Sequence, residues 1–177
     1  QLAVAQEKIG MTYFAMGNLE SALASFEERL RLGQALLKTN PRENRYKQGV
    51  MVAYAKLGET YAAMDQLPKA LDYFKRSNKM AKELAHSAPK SVKACSDFAV
   101  SCIDMGNTHT ALGDLEKALT FFKETDRLVQ RIFKLEPQSQ LFSKYRNAYG
   151  SRALALFNLS SKQEDPKLKE MLLGQSL

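Results

Sequence analysis

Tryptophan is absent from this 177-residue chain, and cysteine (2), histidine (2) and proline (5) are scarce. Each shortage excludes something. Two cysteines cannot build a disulfide-stapled scaffold, and so few prolines leave long stretches free to be helical. His86 and His109 have no Cys, Asp or Glu at ligand spacing, so no metal set is expected and both read as structural or surface residues. No apolar run approaches the roughly 20 residues that a membrane span needs. A hydrophobic fraction of 45% with 25% charged residues describes a globular chain rather than a disordered one.

Cys95 and Cys102 lie seven residues apart on one helical pattern, which separates them by two turns, or roughly 10 Å along the axis. They cannot pair with each other. Free thiols on an apolar face read as core residues in a reducing, cytoplasmic compartment. The chain opens on Gln1 and is already in a helical pattern at Leu2, so it reads as a segment of a larger protein.

What the chain does have is a period. Gly10, Gly58 and Gly106 recur every 48 residues, and the same interval relates Ala22, Ala70 and Ala118, then Phe26, Phe74 and Phe122, then Pro41, Pro89 and Pro137. Four residue types with different physical roles share one spacing, and a unit of this size must stack on its neighbours to bury its apolar face. Within each unit the apolar residues recur at three and four, as in Val50, Ala53, Tyr54, Leu57 and Tyr61, which predicts amphipathic helices and no strand. Short turns at Met16-Gly17-Asn18, Met64-Asp65-Gln66 and Leu112-Gly113-Asp114 supply left-handed residues and caps, so successive helices run antiparallel.

Helices are expected near 2–16, 19–38, 42–64, 67–87, 90–112, 115–135 and 138–160, with a last one starting near Asp165-Pro166. Proline would end one long helix and open the next. Glycine on one helix would face alanine on the following one, letting the axes approach, with phenylalanine filling the space beyond.

The pattern Leu57-Gly58-x-x-Tyr61, Ala70, Phe74, Pro89 resembles the tetratricopeptide repeat, as do Ile9-Gly10-x-x-Tyr13, Ala22, Phe26, Pro41 and Met105-Gly106-x-x-His109, Ala118, Phe122, Pro137. A period of 48 residues exceeds the usual repeat of about 34 by two turns on each helix, which leaves every packing face pointing the same way. The resemblance implies an all-α, right-handed α-solenoid of antiparallel helix pairs with about 7–8 helices in a single domain over 1–177. Repeats would cover about 1–41, 42–89 and 90–137. Phe157 stands where a tyrosine is expected but Leu154 replaces the glycine, so 138–177 reads as a partial fourth repeat or capping helices.

In that family the first helix of each repeat lines a concave groove. The resemblance places there Val4, Glu7, Met11 and Phe14, then Val52, Ala55, Glu59 and Ala62, then Val100, Ile103, Asn107 and Thr110. This lining is small and mainly apolar. Chaperone-binding members grip a peptide carboxylate with Lys, Asn and Arg. Here only Asn107 matches, Glu7, Ala55 and Ile103 replace clamp residues, and Asp104 replaces a basic one, so no such clamp is expected.

The net charge of +7 is patterned, because Arg31, Lys79 and Arg127 share the period, as do Lys38, His86 and Lys134. Stacking would align them into a basic ridge. Nucleic acid is not expected, since no array of exposed stacking aromatics or reading motif accompanies the charge. No Gly-rich phosphate loop and no convergent polar site is present, and Glu27, Glu28, Asp104, Glu124 and Asp126 read as solvated faces. The expected function is non-enzymatic: a protein–protein interaction module, without cofactor or metal, that binds a peptide or helix in an apolar groove. The alternative is a regulatory segment of a multidomain signalling protein that packs on a neighbouring domain.

Overall fold

The computed structural model describes residues 2–137. They form α1 (Leu2–Ala15), α2 (Leu19–Thr39), α3 (Asn44–Ala63), α4 (Leu67–Ser87), α5 (Val92–Ala111) and α6 (Leu115–Leu135), with no strand among the described residues. The helices expected at 138–160 and from Asp165 lie outside the described residues. Two compact units meet the chain boundary between Ala88 and Pro89. The first holds α1 to α4, and the second holds α5 and α6.

The turns inside each helix pair form for the reason the sequence suggests. Gly17, Asp65 and Gly113 all sit at positive φ, at 75°, 58° and 78°, the left-handed region that ends a helix. The next residue is the N-cap of the following helix. Asn18 accepts a hydrogen bond from the Ser21 amide at 3.1 Å, and Asp114 accepts one from the Lys117 amide at 3.3 Å, each satisfying an amide of the first turn. Gln66 makes no such bond, and Pro68 in the first turn of α4 instead removes a donor that would need a partner.

The longer connections depart from expectation by two residues. Helices do not start at Arg42 and Lys90 directly after proline. Pro41 and Pro89 lie in turns, and α3 and α5 begin at Asn44 and Val92. Their caps decide this: the Glu43 carboxylate accepts from the Arg45 amide at 3.4 Å and the Ser91 hydroxyl from the Ala94 amide at 3.2 Å.

The first unit's core gathers Ala22, Phe26 and Leu57, with Phe14, Leu23, Leu30 and Tyr73 packed around them. Glycine contributes differently from the sequence expectation. A Cβ on Gly10 would stand 2.6 Å from Phe26 Cε1, one on Gly58 2.7 Å from Phe74 Cδ1, and one on Gly106 2.5 Å from Phe122 Cε1. The nearest atoms belong to the aromatic ring and not to alanine, so the glycine is a seat for the phenylalanine of its partner helix. All three rings are at most 5% exposed, and full burial of such a side chain is worth about 1.5–3 kcal/mol.

One buried charge ties three helices of the first unit together. Arg29 on α2 donates from Nε to Glu7 Oε2 of α1 and from Nη1 to the Gly49 carbonyl of α3, both at 2.7 Å. Its repeat equivalent Ser77 is buried as well and donates to the Met51 carbonyl at 3.1 Å. In both repeats the buried polar side chain is satisfied by a backbone carbonyl of α3.

Candidate interaction surface

None of the twelve groove residues is fully buried, so each reaches the surface of its own unit. On α1, Val4 and Met11 are 55% and 49% exposed. They lie seven residues apart, on one face. Glu7 lies between them but is held by Arg29, and Phe14 is drawn onto the core. On α3, Val52, Ala55, Glu59 and Ala62 are half-buried, and Glu59 is paired with Lys56 at 2.7 Å. On α5, Val100, Ile103 and Thr110 are half-buried and Asn107 is exposed. The Thr110 hydroxyl is turned back to the Gly106 carbonyl at 2.9 Å.

The three basic positions Arg31, Lys79 and Arg127 are all exposed but not alike. Arg31 forks onto Glu28 with two bonds of 2.7 Å. That pairing holds the Glu28 carboxyl below its usual range and raises the guanidinium, chiefly through the shared hydrogen bonds. Arg127 pairs with Glu124 at 3.3 Å. Lys79 has Arg76 where the other two have glutamate, and it makes no ion pair among the described residues.

Around Arg76 the structure assembles a cluster that sequence reading did not anticipate. Tyr61 and Tyr73 stack with centroids 5.4 Å apart, Tyr54 lies 6.3 Å from Tyr73, and the Arg76 guanidinium covers both Tyr54 and Tyr73 at 5.8 Å. Lys69 stands 5.3 Å over Tyr61, and Gln34 donates to the Tyr54 hydroxyl at 3.0 Å. Such cation–π contacts attract a guanidinium to the ring face. Burial, then the neighbouring Tyr61 and Glu27, pushes the Tyr73 hydroxyl above the usual tyrosine range, so it stays a neutral donor. The readable signal was the substitution at one repeat position: Glu28, Arg76, Glu124.

His86 is exposed, whereas the other histidine and both cysteines are buried. His109, at the tyrosine position of its repeat, is buried, stacks on Phe121 at 5.7 Å and lies 3.7 Å from Asp114 Oδ2. Cys95 and Cys102 are buried free thiols. Of the acids expected on solvated faces, Glu27 is exposed, while Glu28, Asp104, Glu124 and Asp126 are half-buried. No group of three metal-ligating side chains occurs among the described residues.

The family model described as a tetratricopeptide repeat matches residues 2–43. The first helix pair thus matches a repeat of tetratricopeptide type. The same glycine-to-phenylalanine seat recurs in α3/α4 and α5/α6. No curated protein matches the chain. Among solved structures it is similar to the one titled "Crystal structure of MamA protein", at 15% identity over 99% of this chain and 90% of that one, with a TM-score of 0.42. Tetratricopeptide repeats are in general modules for binding other proteins, and they are typically non-catalytic. No described helix is long and apolar enough to cross a membrane.

Proposed function

We propose that this chain is a non-enzymatic interaction module that holds an apolar or helical segment of a protein partner on the exposed face of its first helices. The observation that carries the reading is the surface of α1. Val4 and Met11 are 55% and 49% exposed on one face of this helix, and Leu2, Ile9 and Tyr13, between 37% and 60% exposed, line the opposite one. Val4 and Met11 supply anchors at the spacing that an amphipathic helix matches. Val52, Ala55 and Ala62 extend the face within the first unit, and Val100 and Ile103 give α5 an equivalent one. Small side chains at these positions let a partner backbone come close.

The same α1 surface supports a second reading, in which it covers a neighbouring domain of a longer signalling protein. Selection from a displayed peptide library tests the first. Peptides with apolar residues at three and four spacing should be enriched, and should be lost when Val4→Asp is combined with Met11→Asp in a protein whose circular dichroism is unchanged. Apolar peptides retained by that variant would remove α1 from the binding surface.

A further inference from the structure

The outer face of α4 departs from the corresponding faces of α2 and α6 in a way that packing does not require. In α2 and α6 the exposed arginine is neutralised by a glutamate three residues before it, Glu28 for Arg31 and Glu124 for Arg127. In α4 that glutamate is Arg76, and Lys75, Lys79 and Lys82 stand exposed beside it without an ion pair among the described residues. Lys75, Lys79, Lys82 and His86 follow one another at four, three and four residues, so they form one stripe. Of the acids of the same helix, Asp72 stands four residues before Arg76 and Glu83 four after Lys79, so both line the edge of the stripe toward Arg76, and Glu27 of α2 lies beyond Tyr73.

Arg76 is pre-set by the tyrosines beneath it. Its guanidinium carbon lies 5.8 Å from both ring centroids while the residue stays exposed, and the planar fork of a guanidinium favours a planar, two-oxygen acceptor. Each lysine along the stripe adds an attractive charge at helical spacing. Bases of a nucleic acid would need free aromatic faces. Here Tyr61 and Tyr73 are stacked on each other, and Tyr54 and Tyr73 are covered by Arg76. The exposed chemistry is therefore cationic and carboxylate-shaped, with no platform for base stacking.

We infer that the α4 face centred on Arg76, Lys79 and Lys82 is a second docking surface, which takes an extended acidic peptide whose carboxylates fork onto Arg76 and run along the lysine stripe. From Lys69 to Lys82 the helix rises about 20 Å, a length that about six extended residues span. This surface is independent of the apolar face of α1, and either can stand without the other.

The test uses fluorescence anisotropy with a labelled peptide of about eight residues, rich in Asp and Glu, at about 0.15 M salt, where exposed charges are screened beyond about 8 Å. A neutral peptide of the same length with Gln and Asn, and a single-stranded oligonucleotide, serve as competing probes. Arg76→Glu restores the pairing pattern of α2 and α6 without touching the core, and should weaken acidic-peptide binding about tenfold or more, as expected where a fork and its neighbouring charges are reversed. Arg76→Lys should weaken it less, and Arg31→Ala and Val52→Asp should leave it within about twofold. Equal binding of the neutral peptide, equal loss with Arg31→Ala, tighter binding of the oligonucleotide, or no binding of the acidic peptide would each overturn the assignment.

Discussion

If each repeat glycine is a seat for a phenylalanine ring, the damage caused by a methyl group there should disappear when the ring is shortened. Gly106 is the sharpest case. A Cβ at this position would lie 2.5 Å from Phe122 Cε1, 2.8 Å from Cζ and 2.9 Å from Cδ1. Those separations are far inside carbon–carbon contact, and Phe122 is 1% exposed, so the ring has no open space to enter. Overpacking of this kind costs about 1–3 kcal/mol. Against it stands the helix preference for alanine over glycine, about 1 kcal/mol in a helix interior. Gly106→Ala should therefore destabilise by up to about 2 kcal/mol, which for a chain of this size lowers the melting temperature by up to several degrees.

Phe122→Leu removes Cε1 and Cζ, the two closest atoms, and leaves methyls that can rotate. In that background Gly106→Ala should lose its clash and show its helix preference, becoming neutral or stabilising by up to about 1 kcal/mol. Denaturant unfolding of the parent, both single variants and the double variant gives the coupling directly. A reversal of sign between the two backgrounds is expected. An equal cost of Gly106→Ala in both would refute the seat and return the glycine to general backbone packing.

Removing the Glu7 carboxylate with Glu7→Ala should cost about 1.5–3 kcal/mol, because Arg29 is left 8% exposed with one partner fewer. Glu7→Gln should cost less in the same urea titration, since an acceptor remains. Asp114 is held below the usual aspartate range first by its hydrogen bond to the Lys117 side chain, with the Lys117 amide and the charges of Lys117 and His109 adding to it. A depressed folded value means stability that is present above the ordinary aspartate range and is lost as pH falls through the folded one. Asp114→Asn keeps the cap and discards the charge, so its melting temperature should trail the parent at about pH 6 and converge with it at about pH 2. The buried thiols of Cys95 and Cys102 should react with a thiol reagent at once in denaturant and slowly in the native protein; fast native reaction of either would place it at the surface.

Much of the fold was legible because the period is carried by residues whose roles are steric. Gly17, Asp65 and Gly113 mark left-handed turns whatever surrounds them, and all three have positive φ. Helix starts after Pro41 and Pro89 were less legible. Proline suits both a first helical position and a turn, and the choice fell to the capping residues Glu43 and Ser91 two positions later. The glycine's true neighbour was hidden for a related reason. Spacing alone aligned Gly106 with both Ala118 and Phe122, and only three-dimensional packing shows that the ring crosses the glycine.

Functional surfaces were harder to read, because a repeat makes ordinary residues look significant and significant ones look like scatter. Arg31, Lys79 and Arg127 share a position, but two of them are neutralised by a glutamate three residues earlier and one is not. The shared position is thus the less informative one. The break in symmetry at Arg76 coincides with tyrosines at 54 and 73, where the other repeats have Gln6 and Cys102, then Ser25 and Phe121. A repeat selected for stacking alone has no need to change three positions together on one outer face, and a cation laid over two rings contributes little to stability when exposed. Departure from the period, weighed by what the substituted residues touch, is therefore a better guide to a binding face in this chain than agreement with it.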